Sequence, residues 1–388
     1  MKIIVAPDSY KGCLNSYEAA EYMTQGILEA CPQAEVLQIA VADGGEGTVQ
    51  AIVRGAGGRL HEVQVRGPLG DPVTAEIGLL DDGRTAVIEA ASASGLTLIP
   101  QDRLNPILTT TYGTGQLIKE ALRLGCRKLI IGLGGSATND GGVGMAQALG
   151  VRFPDKYGGE IGYGGGELEH IAAIDLEGLD PRIEGCECVI ASDVTNPLCG
   201  DNGAAAVYGP QKGATPEMVA ALDRGLLHLS RIISRDMGKD IAELPGAGAA
   251  GGLGGGLMAF LSARMERGID LVLEAADFEK RVSEADLVLT GEGHTDLQTR
   301  YGKAAAGIAR IAKRHKVPVI CLSGGISPDA SAMQALYGEG MDAVIGAVQR
   351  PMPLEEAMKQ APALIRHAAA SIIRTLMLGA RMKNQNEM

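Results

Sequence analysis

The stretch KLIIGLGGSATNDGG, Lys128 to Gly142, decides the fold. Its opening Leu129-Ile130-Ile131 gives way to a loop dense in Gly, Ser, Thr, Asn and Asp, and an apolar pattern resumes from Val143 to Leu149. A buried strand that releases a polar loop before the next helix is the repeating unit of an open α/β sheet, where ligands bind at the strand ends. The glycines let main-chain N–H groups approach an anion, and Asn139 and Asp140 offer side chains to a hydroxyl or a metal. The same strand-then-polar-loop unit recurs at Ile3–Gly12, Val36–Thr48, Cys188–Gly200, Leu287–Thr299 and Val319–Ser327.

Between these units the pattern changes once and then returns. Residues 1 to 58 read as β-α-β-α, with Asn15 or Ser16 capping the first helix and Glu18 in its first turn. His61–Val65, Thr74–Leu79 and Arg84–Glu89 then read as three short strands, and Asp82-Gly83 marks a hairpin between the last two. Alternating strands and helices resume at Leu287 and end in a helix running to about Leu378. The expected architecture is therefore two α/β domains. A Rossmann-like parallel-sheet domain, 1–70 and 285–388, is interrupted by an inserted domain with a mixed sheet, 71–284, and the active site is expected in the cleft between them.

Composition narrows the class. Of 388 residues 46% are hydrophobic but only 3% aromatic, so the core is Ala, Val, Ile and Leu. The 55 glycines fall in clusters after strands rather than in a repeat. The formal charge is −12 with acids and bases interspersed, and no basic stripe marks a nucleic-acid surface. Seven scattered cysteines, with Cys186 and Cys188 as a lone C-x-C, read as free thiols in a reducing cytoplasm. No signal peptide and no apolar run of about 18 residues is expected. No sequence feature decides whether the chain forms a homo-oligomer.

Several motifs compete for the chemistry. Gly132-Leu133-Gly134-Gly135-Ser136-Ala137 fits a dinucleotide fingerprint, with Asp155 at about the right distance, which would make an NAD-dependent oxidoreductase of a small hydroxy acid. The polar insert Thr138–Gly142 counts against it, because a fingerprint loop enters its helix directly. Neither a P-loop nor the protein-kinase motifs occur, and no nucleophile elbow surrounds Ser136 or Ser323. The segment Gly246–Gly256, GAGAAGGLGGG, reads as a helix start that cradles a phosphate rather than as a linker. A non-catalytic anion sensor would carry an appended effector module, and none is apparent.

Carboxylates recur at strand ends: Asp8, Asp43, Glu46, Asp140, Asp193, Glu292 and Asp296. Each alone reads as well as a helix cap or turn residue. Together with Lys11, Lys212, Arg300 and Lys303 in the same loops they match the needs of phosphoryl transfer: a base, Mg²⁺ ligands, and cations for phosphates. His294 is either a phosphate or ribose contact or a loop-packing residue.

Ile4–Gly12, Val41–Thr48, Gly132–Gly142, Ser192–Leu198, Gly209–Gly213 and Gly291–Gly302, taken in order over nearly the whole chain, resemble the type I family of bacterial glycerate kinases. The resemblance implies a two-domain α/β enzyme that uses ATP and Mg²⁺ to phosphorylate D-glycerate, usually to 2-phosphoglycerate, in the cytoplasm. It implies Asp193 as base or Mg²⁺ ligand, held by Asn196-Pro197, and Lys11 as the cation facing the moving phosphoryl group or the substrate carboxylate. Asp43 and Glu46 would bind substrate hydroxyls or Mg²⁺. Asp8, Ser9, Gly44, Gly45, Gly134, Gly135, Ser136, Asn139, Asp140, Asn196, Lys212, Glu292, His294, Arg300 and Lys303 complete the expected substrate and phosphate contacts, with Asp296 as a second Mg²⁺ ligand.

Overall fold

The computed structural model describes residues 1–39, 41, 47–296, 299 and 304–386. The chain divides into two units, one built from Met1–Asp43 with Ile269–Met388 and the other from Gly44–Gly268. In chain order the strands are β1 (Lys2–Pro7), β2 (Glu35–Gln38), β3 (Gly58–Arg66), β4 (Pro72–Leu80), β5 (Thr85–Glu89) and β6 (Lys128–Gly132). They continue with β7 (Glu187–Ala191), β8 (Arg264–Glu266), β9 (Leu287–Thr295), β10 (Val319–Ile326) and β11 (Ala343–Gly346).

The first unit holds a five-stranded sheet in the order β11-β10-β9-β1-β2, with every pair parallel. Ile3, Ile4, Val5 and Ala6 are all fully buried, as expected for a strand covered on both faces. Ile3 and Val5 pack with Leu289, Leu322, Met23, Ile27, Ile365 and Ile373 in one apolar cluster. Asn15 begins the helix Ser16–Ala30 with a reciprocal capping box to Glu18. The helix Leu354–Asn386 closes the chain. Over Leu354–Met382 it is long and apolar enough to cross a membrane by length and hydropathy, contrary to the expectation of no such segment. Its apolar stripe, Ile365, Ala369, Ile372 and Ile373, instead lies buried in the core of this unit.

The second unit holds a six-stranded mixed sheet in the order β3-β4-β5-β6-β7-β8. β3, β4 and β5 run antiparallel, joined through the expected turns, and β5 to β8 run parallel. β3 pairs along its length with β4, so the strand expected to end the first domain belongs to the second sheet. A continuous ladder from Gly58↔Leu80 to Arg66↔Pro72 holds β3 in that sheet, on the far side of the expected boundary at residue 70. Ile77, Ile88, Leu129, Ile131 and Ile190 share a core with Leu117, Ile118, Leu257 and Phe260, and Phe260 meets Phe153 edge to face at 5.7 Å. All seven cysteines are free thiols, as expected.

The register positions the loops. In the second unit Glu89, Gly132, Ala191 and Glu266 stand level on neighbouring parallel strands. The loops after β5, β6 and β7 therefore leave one edge of that sheet. In the first unit Pro7, Gly291 and Leu322 are level in the same way, which sets the residues after β1 beside the last residues of β9.

Candidate active site

At the strand-end edge of the first unit the structure gathers Asp8, Ser9, Lys11, Glu292, His294 and Asp296. The Asp8 N–H donates to Gly291 O at 2.8 Å, and its carboxylate accepts the Ser9 N–H at 2.6 Å. Tyr10 N–H donates to Leu14 O at 2.8 Å, closing a tight turn that leaves Lys11 exposed. The Tyr10 hydroxyl is buried and donates to the Leu322 carbonyl. Burial chiefly, with Cys321, Glu292, Cys13 and Asp8 adding, holds its pKa well above the ordinary range, so it stays a neutral donor.

Glu292 is 4% exposed, and its Oε1 accepts the hydroxyls of Thr295 at 3.0 Å and Thr299 at 2.7 Å. Thr299 Oγ1 in turn accepts the Asp296 N–H at 3.1 Å. The carboxylate expected to contact phosphate therefore ties the loop that carries half-buried Asp296. His294 is exposed.

In the second unit the loop after β6 is built around Asp140, which is 1% exposed. One oxygen accepts the Thr111 N–H at 2.7 Å, the Thr111 hydroxyl spans both oxygens at 2.9 and 3.1 Å, and the N–H groups of Gly142 and Gly144 donate at 3.1 and 3.3 Å. Burial raises its pKa above the carboxylate norm against the pull of these donors. The start of the helix Val143–Ala148 is thus occupied by a protein carboxylate, where a dinucleotide fingerprint would need its pyrophosphate. Asp155 sits in a loop turn, accepting the N–H groups of Tyr157 and Gly159. The oxidoreductase reading fails on this geometry.

Beside Asp140 lies Lys212, 2% exposed, whose Nζ donates to Thr138 O at 2.6 Å. Burial brings its pKa down to about 7, with the Asp140 charge opposing. Next to both is Asn139, fully buried, whose amide oxygen and nitrogen have no hydrogen-bond partner among the described residues. An unsatisfied buried amide costs about 1–3 kcal/mol per group, so its retention calls for a functional reason.

Other expected contacts turn inward. Ser136 Oγ exchanges hydrogen bonds with Thr138. Asn196 donates to Asn202 O and accepts the Tyr208 hydroxyl, each at 2.8 Å, so its amide shapes the loop that carries Asp193. Asp193 itself is half-buried two residues beyond β7. Gly134 is half-buried and Gly135 exposed at the loop tip.

The Gly246–Gly256 segment is not a phosphate cradle. The N–H groups of Gly252, Leu253, Gly254 and Gly255 already donate to Gly248, Ala250, Ala249 and Ala247. The segment is buried against the 138–142 loop, and Gly141 N–H donates to Gly251 O at 3.1 Å. Asp43, Gly44, Gly45, Glu46, Arg300 and Lys303 lie outside the described residues.

Thr111 and Thr138 were missed by sequence reasoning. The triplet Thr109-Thr110-Thr111, entirely buried, was the available signal, because three hydroxyls before a helix exceed what one cap needs. Thr109 Oγ1 donates to Ala137 O at 2.8 Å, so the triplet stitches the β6 loop in place.

The described residues include no group of three His, Cys, Asp or Glu side chains close enough to hold a metal. Asp193 and Asp296, expected as Mg²⁺ ligands, belong to different units. Mg²⁺ bound with a nucleotide takes one or two protein carboxylates and fills its remaining positions from phosphates and water. Half-buried aspartates on strand-end loops fit that sparse demand.

Parallel strands that end in acidic and glycine-rich loops, with a buried lysine of lowered pKa among them, define an α/β enzyme that works on small anions. The glycerate kinase family profile matches residues 3–377. The glycerate kinase of Bacillus subtilis (strain 168) is 50% identical over 382 residues, covering 98% of this chain and 99% of that protein. The glycerate 2-kinase of Escherichia coli (strain K12) is 45% identical over 381 residues, with the same coverage. A crystal structure described as that of a candidate glycerate kinase 2 from Salmonella typhimurium LT2 superposes with a TM-score of 0.86 at 47% identity, covering 98% of this chain and 99% of that one. The chain belongs to the glycerate kinase family and is a phosphotransferase.

Proposed function

We propose that the protein phosphorylates D-glycerate at its 2-hydroxyl with MgATP, yielding 2-phosphoglycerate and ADP. The family membership supports the reaction class, and the Escherichia coli relative named glycerate 2-kinase supports the position. The observation in this molecule that carries the reading is the buried set Lys212, Asn139 and Asp140. A lysine with a pKa brought down to about 7 gains its proton when an anion arrives beside it. The idle Asn139 amide can donate to, and accept from, a hydroxy acid.

In this account the substrate hydroxyl attacks the γ-phosphorus in line. The new O–P bond forms as the bond to the ADP oxygen breaks, and the hydroxyl proton passes to Asp193. Lys212 supplies positive charge for the anionic substrate, which is preorganised electrostatic stabilisation. Asp296, held by the Glu292–Thr299 bonds, is the proposed Mg²⁺ ligand. Mg²⁺, when bound, neutralises the β- and γ-phosphate oxygens. A soluble metabolite and ATP as substrates point to work in the cytoplasm.

A coupled ADP-release assay across D-glycerate, L-glycerate, tartronate and lactate tests the substrate, and phosphorus NMR of the product tests the position. D-glycerate is expected to give the highest kcat/KM, with the phosphorus coupled to the C2 proton. Coupling to the C3 protons would refute the position. Turnover with none of these acids would refute the substrate.

A further inference from the structure

Arg66 closes β3, and its backbone is fixed twice on the helix Tyr112–Arg123. The Arg66 N–H donates to Gln116 Oε1 at 2.7 Å. Its carbonyl oxygen lies 2.0 Å from where a Cβ on Gly113 would be, so only glycine admits this approach. The guanidinium sits over two rings, 4.8 Å from the centroid of Tyr112 and 4.7 Å from that of Tyr163. These rings meet edge to face at 5.3 Å. Ring faces hold a guanidinium plane without using its N–H groups. Among the described residues no carboxylate or carbonyl takes them. A half-buried cation with a fixed plane and unspent donors matches an acceptor that offers two oxygens.

The surroundings point to the same use. Tyr112 is the first residue of its helix, whose N-terminal end adds partial positive charge. The residue before it, Thr111, holds Asp140. On the other side of the clamp, Tyr163 lies two residues before Gly165, and a Cβ there would stand 2.7 Å from Asn139 O. Both tyrosines are thus tied through short stretches of backbone to the loop of Asn139 and Asp140.

We propose that Arg66, clamped by Tyr112 and Tyr163, is an anion-binding subsite that takes a carboxylate or phosphate of a substrate. The assignment rests on the kinase reading above, in which glycerate brings a carboxylate and ATP its phosphates. Neither the strand-end pattern nor the loop motifs pointed to it, because an arginine at the end of a strand and two tyrosines far along the chain carry no joint signal.

The test compares wild type with Arg66→Met, which keeps an apolar stem between the rings, and Arg66→Lys, which keeps the charge but loses the fork. KM for D-glycerate and for ATP is measured, with the Kd of each by calorimetry. Arg66→Met is expected to raise the constants for one substrate by roughly 10- to 100-fold, the range for a lost charge-assisted pair. The other substrate should change less than about threefold, and the affected one identifies the source of the anion. Arg66→Lys should fall in between, and it carries the test if Arg66→Met does not fold. Constants within twofold of wild type for both substrates in the folded variants overturn the proposal. If wild type releases no ADP with D-glycerate, the kinase reading fails instead. Titration of wild type and Arg66→Met with inorganic phosphate and with acetate then judges the subsite: weaker binding of either anion in the variant upholds it, and equal binding refutes it.

Discussion

Replacing Lys212 by methionine should make the protein more stable and less active, and the stability gain should depend on pH in a defined way. Burial lowers the Lys212 pKa from 10.5 to about 7. That difference corresponds to about 5 kcal/mol against folding when the amine is fully charged in both states. Because the folded pKa is the lower one, the unfolded chain holds the extra proton between pH 7 and 10.5. The penalty is complete below pH 7 and fades at about 1.4 kcal/mol per pH unit as pH rises through that window. Methionine does not titrate, so its advantage should be largest at pH 6–7 and shrink by about 2 kcal/mol between pH 7 and 9. The lost bond to Thr138 O subtracts about 1–3 kcal/mol at every pH in this range, and the attraction to Asp140 is already contained in the folded pKa. Urea denaturation of both proteins at pH 6, 7, 8 and 9 measures the difference directly. Activity should fall by roughly 30- to 100-fold in kcat/KM if the amine serves an anionic substrate. A stability difference that stays flat from pH 7 to 9 would refute the depressed pKa, and unchanged kcat/KM would refute the functional role.

Three further expectations follow from the same geometry. Asp193→Asn should lower kcat by about 10²- to 10⁴-fold with an unchanged melting temperature; near-normal turnover would remove Asp193 from the chemistry. Gly251→Ala should cost more than about 3 kcal/mol in calorimetric stability. Its φ of +68° strains any other residue, and the new Cβ would lie 1.9 Å from Thr138 O. Thr299→Val removes one of the hydroxyl donors to buried Glu292 and the acceptor of the Asp296 N–H. It should cost about 1–3 kcal/mol and raise the Mg²⁺ concentration for half-maximal rate, and an unchanged Mg²⁺ profile would release Asp296 from its proposed role.

The fold was largely legible because its signals are local. Apolar runs such as Ile3–Ala6 and Leu129–Ile131 stop at Gly- and Asp-rich loops, and strand and loop fall where that pattern sets them. The cap at Asn15 with Glu18 in the first turn was equally visible. β3 was misassigned because strand pairing is non-local: its alternating pattern tells which face is buried, but not which sheet supplies its partner. The Gly246–Gly256 run was misread for a related reason. Glycine permits both a phosphate approach and close backbone packing, and only the neighbouring 138–142 loop selects the second.

At the site, the sequence by itself determined which residue types stand at strand ends, since a strand's last residue and the loop after it are adjacent in the chain. It could not assign their duties. Asp140, Glu292 and Asn196 looked like ligands for a substrate, yet each spends its polar atoms on the protein. Lys212 was expected as a cation for phosphates but nothing in the chain marked it as buried, and Arg66 attracted no notice. Tertiary structure decided these roles, because burial and hydrogen-bond partners come from segments dozens of residues away: Thr111 for Asp140, Thr138 for Lys212, and Tyr112 and Tyr163 for Arg66. A side chain's charge is written in the chain, whereas the dielectric and the partners that set its behaviour exist only once the chain has folded.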